Sequence, residues 1–406
     1  MDRSNLAVAA SEIGKEFKFN SVQLGLMFSA FSWAYILFQI PGGIVVKRYS
    51  PRILYTVSLI TWSVATLLQG FVRSFSALIG LRMATGTFEA PAYPINNKVV
   101  ATWFPENERA SAIGVYTSGQ FLGLAFLMPV LSRIQAYTGW RVLFIVTGVI
   151  GIVWGIIWYM AYRDPLKHRK ANKTELDLIT KGGGLINYGD DDKAVKHFNW
   201  SDLKEALSYR KLWGIYIGQF AVNSTLWFFL TWFPKYLVDY RGFDFIKSGY
   251  WASIPYMAAF AGVLSSGFIS DYCMKRNISQ AKARKLPIIA GLLISVFILG
   301  ANYVNTPGLI ILFMSVSFFG VGFASITWIF VSTLAPIHLI DITGGVFNFI
   351  GQLSGVIVPT VIGFLVSGGN FEPALIFVAV MGLIGACSYI FLVGSVKRIT
   401  LSETNN

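Results

Sequence analysis

The sequence is short of charge. Of 406 residues only 13% are Asp, Glu, Lys or Arg, where a soluble domain carries about 25%. Cysteine is nearly missing. Cys273 sits beside a basic loop and Cys387 inside an apolar run, without metal-site or redox-motif spacing, so both read as free thiols. The three histidines, His168, His197 and His338, lie in or beside loops and form no zinc or haem constellation. Lys181-Gly182-Gly183-Gly184 lacks the Lys-Ser/Thr that completes a phosphate loop and reads as a flexible turn. No nucleophile is set beside a base. These absences speak against an integral-membrane enzyme and against any bound metal or organic cofactor. The opening Met1-Asp2-Arg3 has no basic segment leading into an apolar one, so no cleavable signal peptide is visible.

Apolar sequence is abundant instead. Hydrophobic residues make up 54% of the chain and the mean hydropathy is +0.58. A bilayer core of about 30 Å takes about 20 apolar residues per helix, and such runs follow one another almost end to end. Eleven full spans are expected, at 22–46, 51–72, 76–100, 108–134, 140–162, 211–236, 249–270, 286–304, 307–334, 343–367 and 372–395. A stub from Asp2 to Ser11, too short to cross, precedes them. The long polar segment 163–210 carries Arg163, Lys167, Arg169, Lys170, Lys173, Lys181, Lys193 and Lys196, and the acidic run Asp190-Asp191-Asp192. With the stub counted as part of a span, each half holds six. The expected domains are an N-terminal helix bundle 1–162, a central loop 163–210, a C-terminal bundle 211–396 and a tail 397–406.

The formal net charge of +13 would suggest nucleic acid in a soluble protein. Here the basic residues concentrate in alternate loops: Lys47, Arg48 and Arg52, the central segment, Lys275 to Lys285, then Lys397 and Arg398. That bias orients membrane proteins. It places the central loop and the C-terminus in the cytoplasm and leaves no role for nucleic acid. A weak repeat supports two like halves: Gly42-Gly43 before Lys47-Arg48, and Ser266-Gly267 before Asp271 and Lys275-Arg276. Small-residue pairs at Gly119/Gly123, Gly151/Gly155 and Gly351/Gly355 predict close helix packing, although glycine is common in membrane helices anyway.

The layout, the central loop and the Gly42-Gly43 turn together resemble the major facilitator superfamily. Within it, Asp2-Arg3-Ser4-Asn5-Leu6-Ala7, Gln39-Ile40-Pro41-Gly42-Gly43 and Trp103-Phe104-Pro105-Glu106 resemble the anion:cation symporter family. Phe88-Glu89-Ala90-Pro91, Ser224-Thr225-Leu226-Trp227, Gly322-Phe323-Ala324-Ser325 and Gly344-Gly345-Val346-Phe347-Asn348 draw the likeness toward its sugar-acid/proton symporters. The resemblance implies an all-α integral membrane protein of two six-helix bundles, its first helix shortened. It implies a monomer in the bacterial inner membrane that imports a sugar acid with protons by alternating access. D-galactonate comes first among the substrates, with a hexuronate, an aldarate or a small carboxylate as alternatives. Two departures stand out. Lys47 replaces an Asp and Ser50 a Gly in the loop motif that helps latch the cytoplasmic side. In the family Asp-Arg-Ser-Asn lies midway along the first helix, whereas here it is residues 2–5; the expectation is a mis-set start codon or a shortened chain.

Ionisable groups within spans are costly and point to function. Glu89, mid-span and followed by Pro91 and Pro94, is a candidate proton carrier; the plainer reading is a structural partner of Arg82 or Lys98. Through the resemblance alone, Arg3 becomes the group that holds the substrate carboxylate, by paired hydrogen bonds. On the same ground Asp2 becomes its counter-ion or a second proton site. Tyr35, Gln120, Gln219, Ser325, Thr327, Trp328 and Asn348 offer donors and acceptors suited to sugar hydroxyls, although each alone is as well explained by helix packing. Arg82, Arg109 and Asp271 lie toward span ends and read as gating or structural ion pairs.

Overall fold

The computed structural model describes residues 2–105, 108–186, 200–276 and 279–399. Glu106, Asp190 to Asp192, Lys193, Lys196, His197 and the tail beyond Ile399 lie outside the described residues, as do the side chains of Lys47, Asp271 and Lys275. Helix accounts for 85% of the structure, and no strand occurs among the described residues. All eleven expected apolar runs fall on helix.

The first six helices are α1 (Asp2–Phe17), α2 (Ser21–Arg48), α3 (Pro51–Gln69), α4 (Phe75–Glu89), α5 (Ala92–Trp103) and α6 (Arg109–Ala161). Two short helices follow, α7 (Lys173–Lys181) and α8 (Trp200–Ser208). Then come α9 (Arg210–Thr231), the single turn α10 (Phe233–Lys235), α11 (Phe245–Lys275), α12 (Gln280–Ser295), α13 (Pro307–Phe323), α14 (Ile329–Leu334), α15 (Ile340–Leu365) and α16 (Glu372–Cys387). Local chemistry sets several ends. Ser50 accepts from the Arg52 amide at 3.3 Å, with Pro51 at the first helical position of α3. Ser74 caps α4 through the Ala77 amide at 3.3 Å. Past the stub's expected end at Ser11, α1 continues to Phe17 and places Lys15 in its last turn, where the helix dipole favours a cation.

Among the described residues, eight helical stretches are long and apolar enough to cross a membrane. The count is below eleven for three physical reasons. Residues 115–161 form one continuous stretch of 47 residues, enough for two crossings at about 20 residues each. The run 76–100 is interrupted between α4 and α5, because Pro91 has no amide hydrogen to continue the ladder. Helix α9 begins on Arg210 and Lys211 and carries Gln219, Asn223, Ser224 and Thr225, which dilute its hydropathy.

Inside α6 the two crossings meet at Gly139, whose φ of 81° and ψ of 166° belong to a region essentially closed to residues with a Cβ. Further along, a Cβ at Gly155 would stand 2.8 Å from Ile60, and one at Gly151 would collide with the Ser63 hydroxyl, so α6 lies tightly on α3 as that glycine pair predicts. The Gly119/Gly123 pair differs. A Cβ at either would meet nothing within 4 Å, so this stretch of α6 makes no such close approach.

The chain divides into two units. One comprises Met1–Asn5, Ala30–Gln120 and Tyr137–His197; the other comprises Leu6–Ser29, Phe121–Ala136 and Phe198–Asn406. In the first, Tyr55 packs on Trp158 at 4.8 Å, and Trp158 stacks on Tyr162 at 4.6 Å. The second has an aromatic core in which Phe229 stacks on Phe318 at 4.0 Å, Phe28 meets Trp232 edge-on at 5.3 Å, and Phe371 contacts Tyr236 at 4.9 Å. Both thiols, Cys273 and Cys387, are free.

Candidate functional site

Chemistry in the first unit gathers where α1, α2 and α4 meet. Glu89 is the last residue of α4, which stops there because Pro91 follows. A carboxylate at a helix C-terminus faces the negative end of the helix dipole, so a cation partner is needed nearby. Arg3, in the first turn of α1, supplies it: Nε donates to Glu89 Oε1 at 3.0 Å and Nη2 to the same oxygen at 2.7 Å. Neither side chain is sealed, with exposures of 19% for Arg3 and 16% for Glu89.

Two rings of α2 complete the cradle. The Arg3 guanidinium lies 4.9 Å from the Phe31 ring centre and 5.2 Å from that of Tyr35, within range of favourable cation–ring attraction. The two rings stack on each other at 5.5 Å. Gly86 makes this possible, since a Cβ there would run into the Phe31 carbonyl. Glycine thus lets α2 press against α4 one turn before Glu89.

Behind this pair sits a second one. Arg82, only 3% exposed, donates Nη1 to the backbone carbonyl of Asp2 at 3.1 Å and lies 5.5 Å from the centre of the Phe31 ring. The Asp2 carboxylate is within electrostatic range of both Glu89 and Arg82. Two acids and two arginines therefore share one polar pocket of the unit. Around them, Gln69 donates to Thr85 at 3.2 Å, and Asn5 donates to Thr147 of α6 at 3.2 Å. Arg82 Nε and Gln69 Oε1 are buried without a hydrogen-bond partner among the described residues. At the end of the cluster the Tyr93 hydroxyl donates to Gln120 Oε1 at 3.3 Å.

In the second unit the polar residues collect at a break in a spanning helix. After α13 the backbone tightens into a 3₁₀ turn, Ser325–Trp328, before α14 resumes. Broken helices of this kind expose backbone groups and are common at carrier sites. The turn carries Ser325, Thr327 and Trp328. Thr327 donates to Gln219 Oε1 of α9 at 2.7 Å, within a buried pair. Gln219 Nε2 in turn reaches Asn223 Oδ1 at 3.5 Å. Gly351 of α15 leaves room for them, as a Cβ there would sit 2.7 Å from the Gln219 side chain. Trp328 is half exposed and edge-on to Phe347 at 4.8 Å. Ser325 and Asn348 are half-buried and make no side-chain hydrogen bond among the described residues.

Of the sequence-derived residues, Asp2, Arg3, Tyr35 and Glu89 come together, with Gln120 joined through Tyr93. Gln219, Thr327 and Trp328 share the second cluster. Arg82 departs from its expected place near a span end: it lies midway along α4 and inside the cluster. Its position was obscured because 76–100 reads as one span, whereas α4 ends at Glu89. Glu89 pairs with Arg3, not with Arg82 or Lys98 as the plainer reading had it. Lys98 instead donates to the carbonyls of Val46, at 2.9 Å, and Tyr49, at 3.2 Å, capping the end of α2. Arg109 likewise serves carbonyls, that of Gly183 at 2.6 Å and that of Ala101 at 3.3 Å. Asn223 and Tyr93 were not singled out by the sequence; only their partners show them to belong.

Comparison with known proteins adds four findings. Residues 1–359 match the family model described as Major Facilitator Superfamily. The chain is 52% identical over 403 residues to the D-galactonate transporter of Escherichia coli O6:H1, covering 98% of this chain and 93% of that protein. It is 41% identical over 410 residues to the probable galactarate/D-glucarate transporter GudP of Escherichia coli K12, covering 98% and 91%. Among solved structures, it resembles a bacterial homologue of the human lysosomal transporter Spinster, with a TM-score of 0.76 at 17% identity over 96% of this chain and 93% of that one.

Proposed function

The chain belongs to the Major Facilitator Superfamily, and from that premise we propose that it is a proton-coupled symporter that imports a sugar acid, D-galactonate before others. It is a multi-pass membrane transporter of sugar acids and not an enzyme. D-galactonate as the substrate is supported by the 52% identity to the D-galactonate transporter; protons as the coupling ion rest chiefly on one observation. The arginine best suited to hold a carboxylate is already held by Glu89, through two hydrogen bonds to one oxygen.

That pairing yields a coupling rule. While Glu89 is ionised, Arg3 is neutralised and an incoming anion meets a carboxylate. A proton on Glu89 weakens the pair and frees the guanidinium for the substrate carboxylate, which it grips more strongly than a neutral acceptor. Proton and anion then favour each other's binding and cross together. Asp2, beside Arg82 and Glu89, is the second proton site in this reading. In the unit that holds Arg3, Tyr35 and Gln120 offer partners to the hydroxyls of the sugar acid; Gln219, Ser325, Thr327, Trp328 and Asn348 are the residues of the second unit with the same chemistry. The protein works as a monomer in the bacterial inner membrane with its C-terminus in the cytoplasm, as the loop Lys and Arg distribution indicates.

A dianionic aldarate is the second reading, favoured by the likeness to the probable galactarate/D-glucarate transporter. A dianion calls for a second free cation. Arg82 is the nearest, but it is buried and engaged with Asp2. A monoanion therefore fits better. The test is uptake of labelled D-galactonate into proteoliposomes under an inward proton gradient, with galactarate as competitor. Concentrative D-galactonate uptake that galactarate inhibits only weakly supports the proposal. Uptake of galactarate alone, or equal rates with and without the gradient, overturns it.

A further inference from the structure

Where α6 leaves the membrane, the chain forms a cavity of about 550 Å³ lined by Arg163, Lys167, His168, Arg169 and Lys170, with Met160 at its edge. Among the described residues no carboxylate lines it. The nearest acid in sequence, Asp164, is occupied elsewhere: it accepts from Ser50 at 3.0 Å and from the Tyr162 hydroxyl at 3.2 Å. The ion pairs among the described residues involve none of Lys167, Arg169 and Lys170.

The loop that carries these groups is held by its own turns. Lys167 donates its amide to the Asp164 carbonyl at 2.9 Å, His168 to Pro165 at 3.2 Å and Ala171 to His168 at 3.1 Å. The His168 ring stands edge-on to Trp103 at 5.3 Å. Arg163 is drawn back onto the end of α6, donating to the carbonyls of Tyr159 at 2.9 Å and Tyr162 at 2.7 Å. The cations are thus gathered on a folded support.

Directly before the cavity, α6 presents an exposed apolar stripe. Val149, Val153, Trp154, Ile157 and Met160 are all 45% exposed or more. They recur at helical spacing along the last three turns. Met160 belongs to both the stripe and the cavity rim. An apolar strip that runs into a cationic pocket at the end of a spanning helix matches one molecule in particular. We propose that this cavity binds the headgroup of an anionic phospholipid, its phosphate among Lys167, Arg169 and Lys170 and one acyl chain along the α6 stripe. Basic pockets at the cytoplasmic ends of spanning helices recognise such headgroups by charge. A free phosphate would use the cations but gain nothing from the stripe.

The experiment is native mass spectrometry of the full chain in detergent, titrated with phosphatidylglycerol or phosphatidylcholine. It compares the wild type with the triple variant Lys167→Gln/Arg169→Gln/Lys170→Gln and with a control that neutralises Lys282 and Arg284. The expected result is a retained phosphatidylglycerol adduct that phosphatidylcholine does not give. The triple variant should weaken it by about tenfold to a hundredfold, given the attraction per basic residue near an anionic surface, and the control should leave it intact. Circular dichroism of each variant shows whether it is folded; if the triple variant is not, Met160→Asp in the stripe is measured instead and should weaken the same adduct. Adducts equal in the folded triple variant, or lost equally in the control, overturn the proposal. Displacement of the lipid by millimolar inorganic phosphate overturns it too, in favour of a simple anion site.

Discussion

Arg3 and Glu89 illustrate how much one pair can do. Both side chains are mostly buried, so removing either partner strands a charge; under the proposed coupling, the pair's weight lies also in what it withholds from the substrate. Replacing Glu89 by Gln keeps an acceptor oxygen but removes the titrating group. Concentrative uptake driven by a proton gradient should then fail, while exchange of labelled for unlabelled D-galactonate across the same membrane persists. Loss of exchange as well as uptake would mean that Glu89 is structural. Arg3→Lys keeps the charge but loses the planar fork. Losing one charge-assisted hydrogen bond costs about 2 kcal/mol, so KM should rise roughly thirtyfold, with a smaller change in maximal rate. Thr327→Val tests the second cluster. Gln219 then loses its buried donor at a cost of about 1–3 kcal/mol, to be read as a raised KM for D-galactonate.

The elements show which parts of this were legible in the sequence. Apolar runs locate spanning helices because the bilayer demands about 20 such residues, and those runs all fall on helix here. The intramembrane acid Glu89 was visible for the same reason, being out of place. The bonds between clusters were not visible: Arg3 and Glu89 lie 86 residues apart, and Thr327 and Gln219 lie 108 apart. No local pattern announces contacts at that separation. Arg82 went astray because hydropathy alone cannot place a helix end inside an apolar run, whereas Pro91 can. Gly86 belongs to this scale too. Its value is the approach of α2 to α4, so Gly86→Ala should force a shift against the Phe31 carbonyl. Overpacking of that kind costs about 1–3 kcal/mol, seen as a lower thermal midpoint in detergent and a disturbed affinity at Arg3. An unchanged midpoint would show that the two helices part easily.

For the molecule as a whole, the proposed coupling makes the loading of Glu89 and Asp2 set the electrical character of transport. Two protons with one monoanion carry a net positive charge inward, whereas one proton with one monoanion carries none. With both acids loaded, an inside-negative potential imposed by a potassium gradient and valinomycin should speed uptake, and Asp2→Asn should abolish that stimulation. Uptake by the wild type that ignores the potential would limit coupling to a single proton. In either case uptake should fall as external pH rises at fixed internal pH, since fewer carriers then meet the substrate with Glu89 protonated, and a protonophore should collapse accumulation.

The bend at Gly139 has an evolutionary corollary. Two membrane crossings are joined there by one residue in place of a loop, so the joint has no slack to absorb an insertion or deletion. Removing a single residue just after it would turn the following helix by about 100° and draw it back by about 1.5 Å. Thr147 would swing away from Asn5, its present partner at 3.2 Å, and Gly151 would leave its seat on Ser63. Length variation among related carriers should therefore avoid this joint.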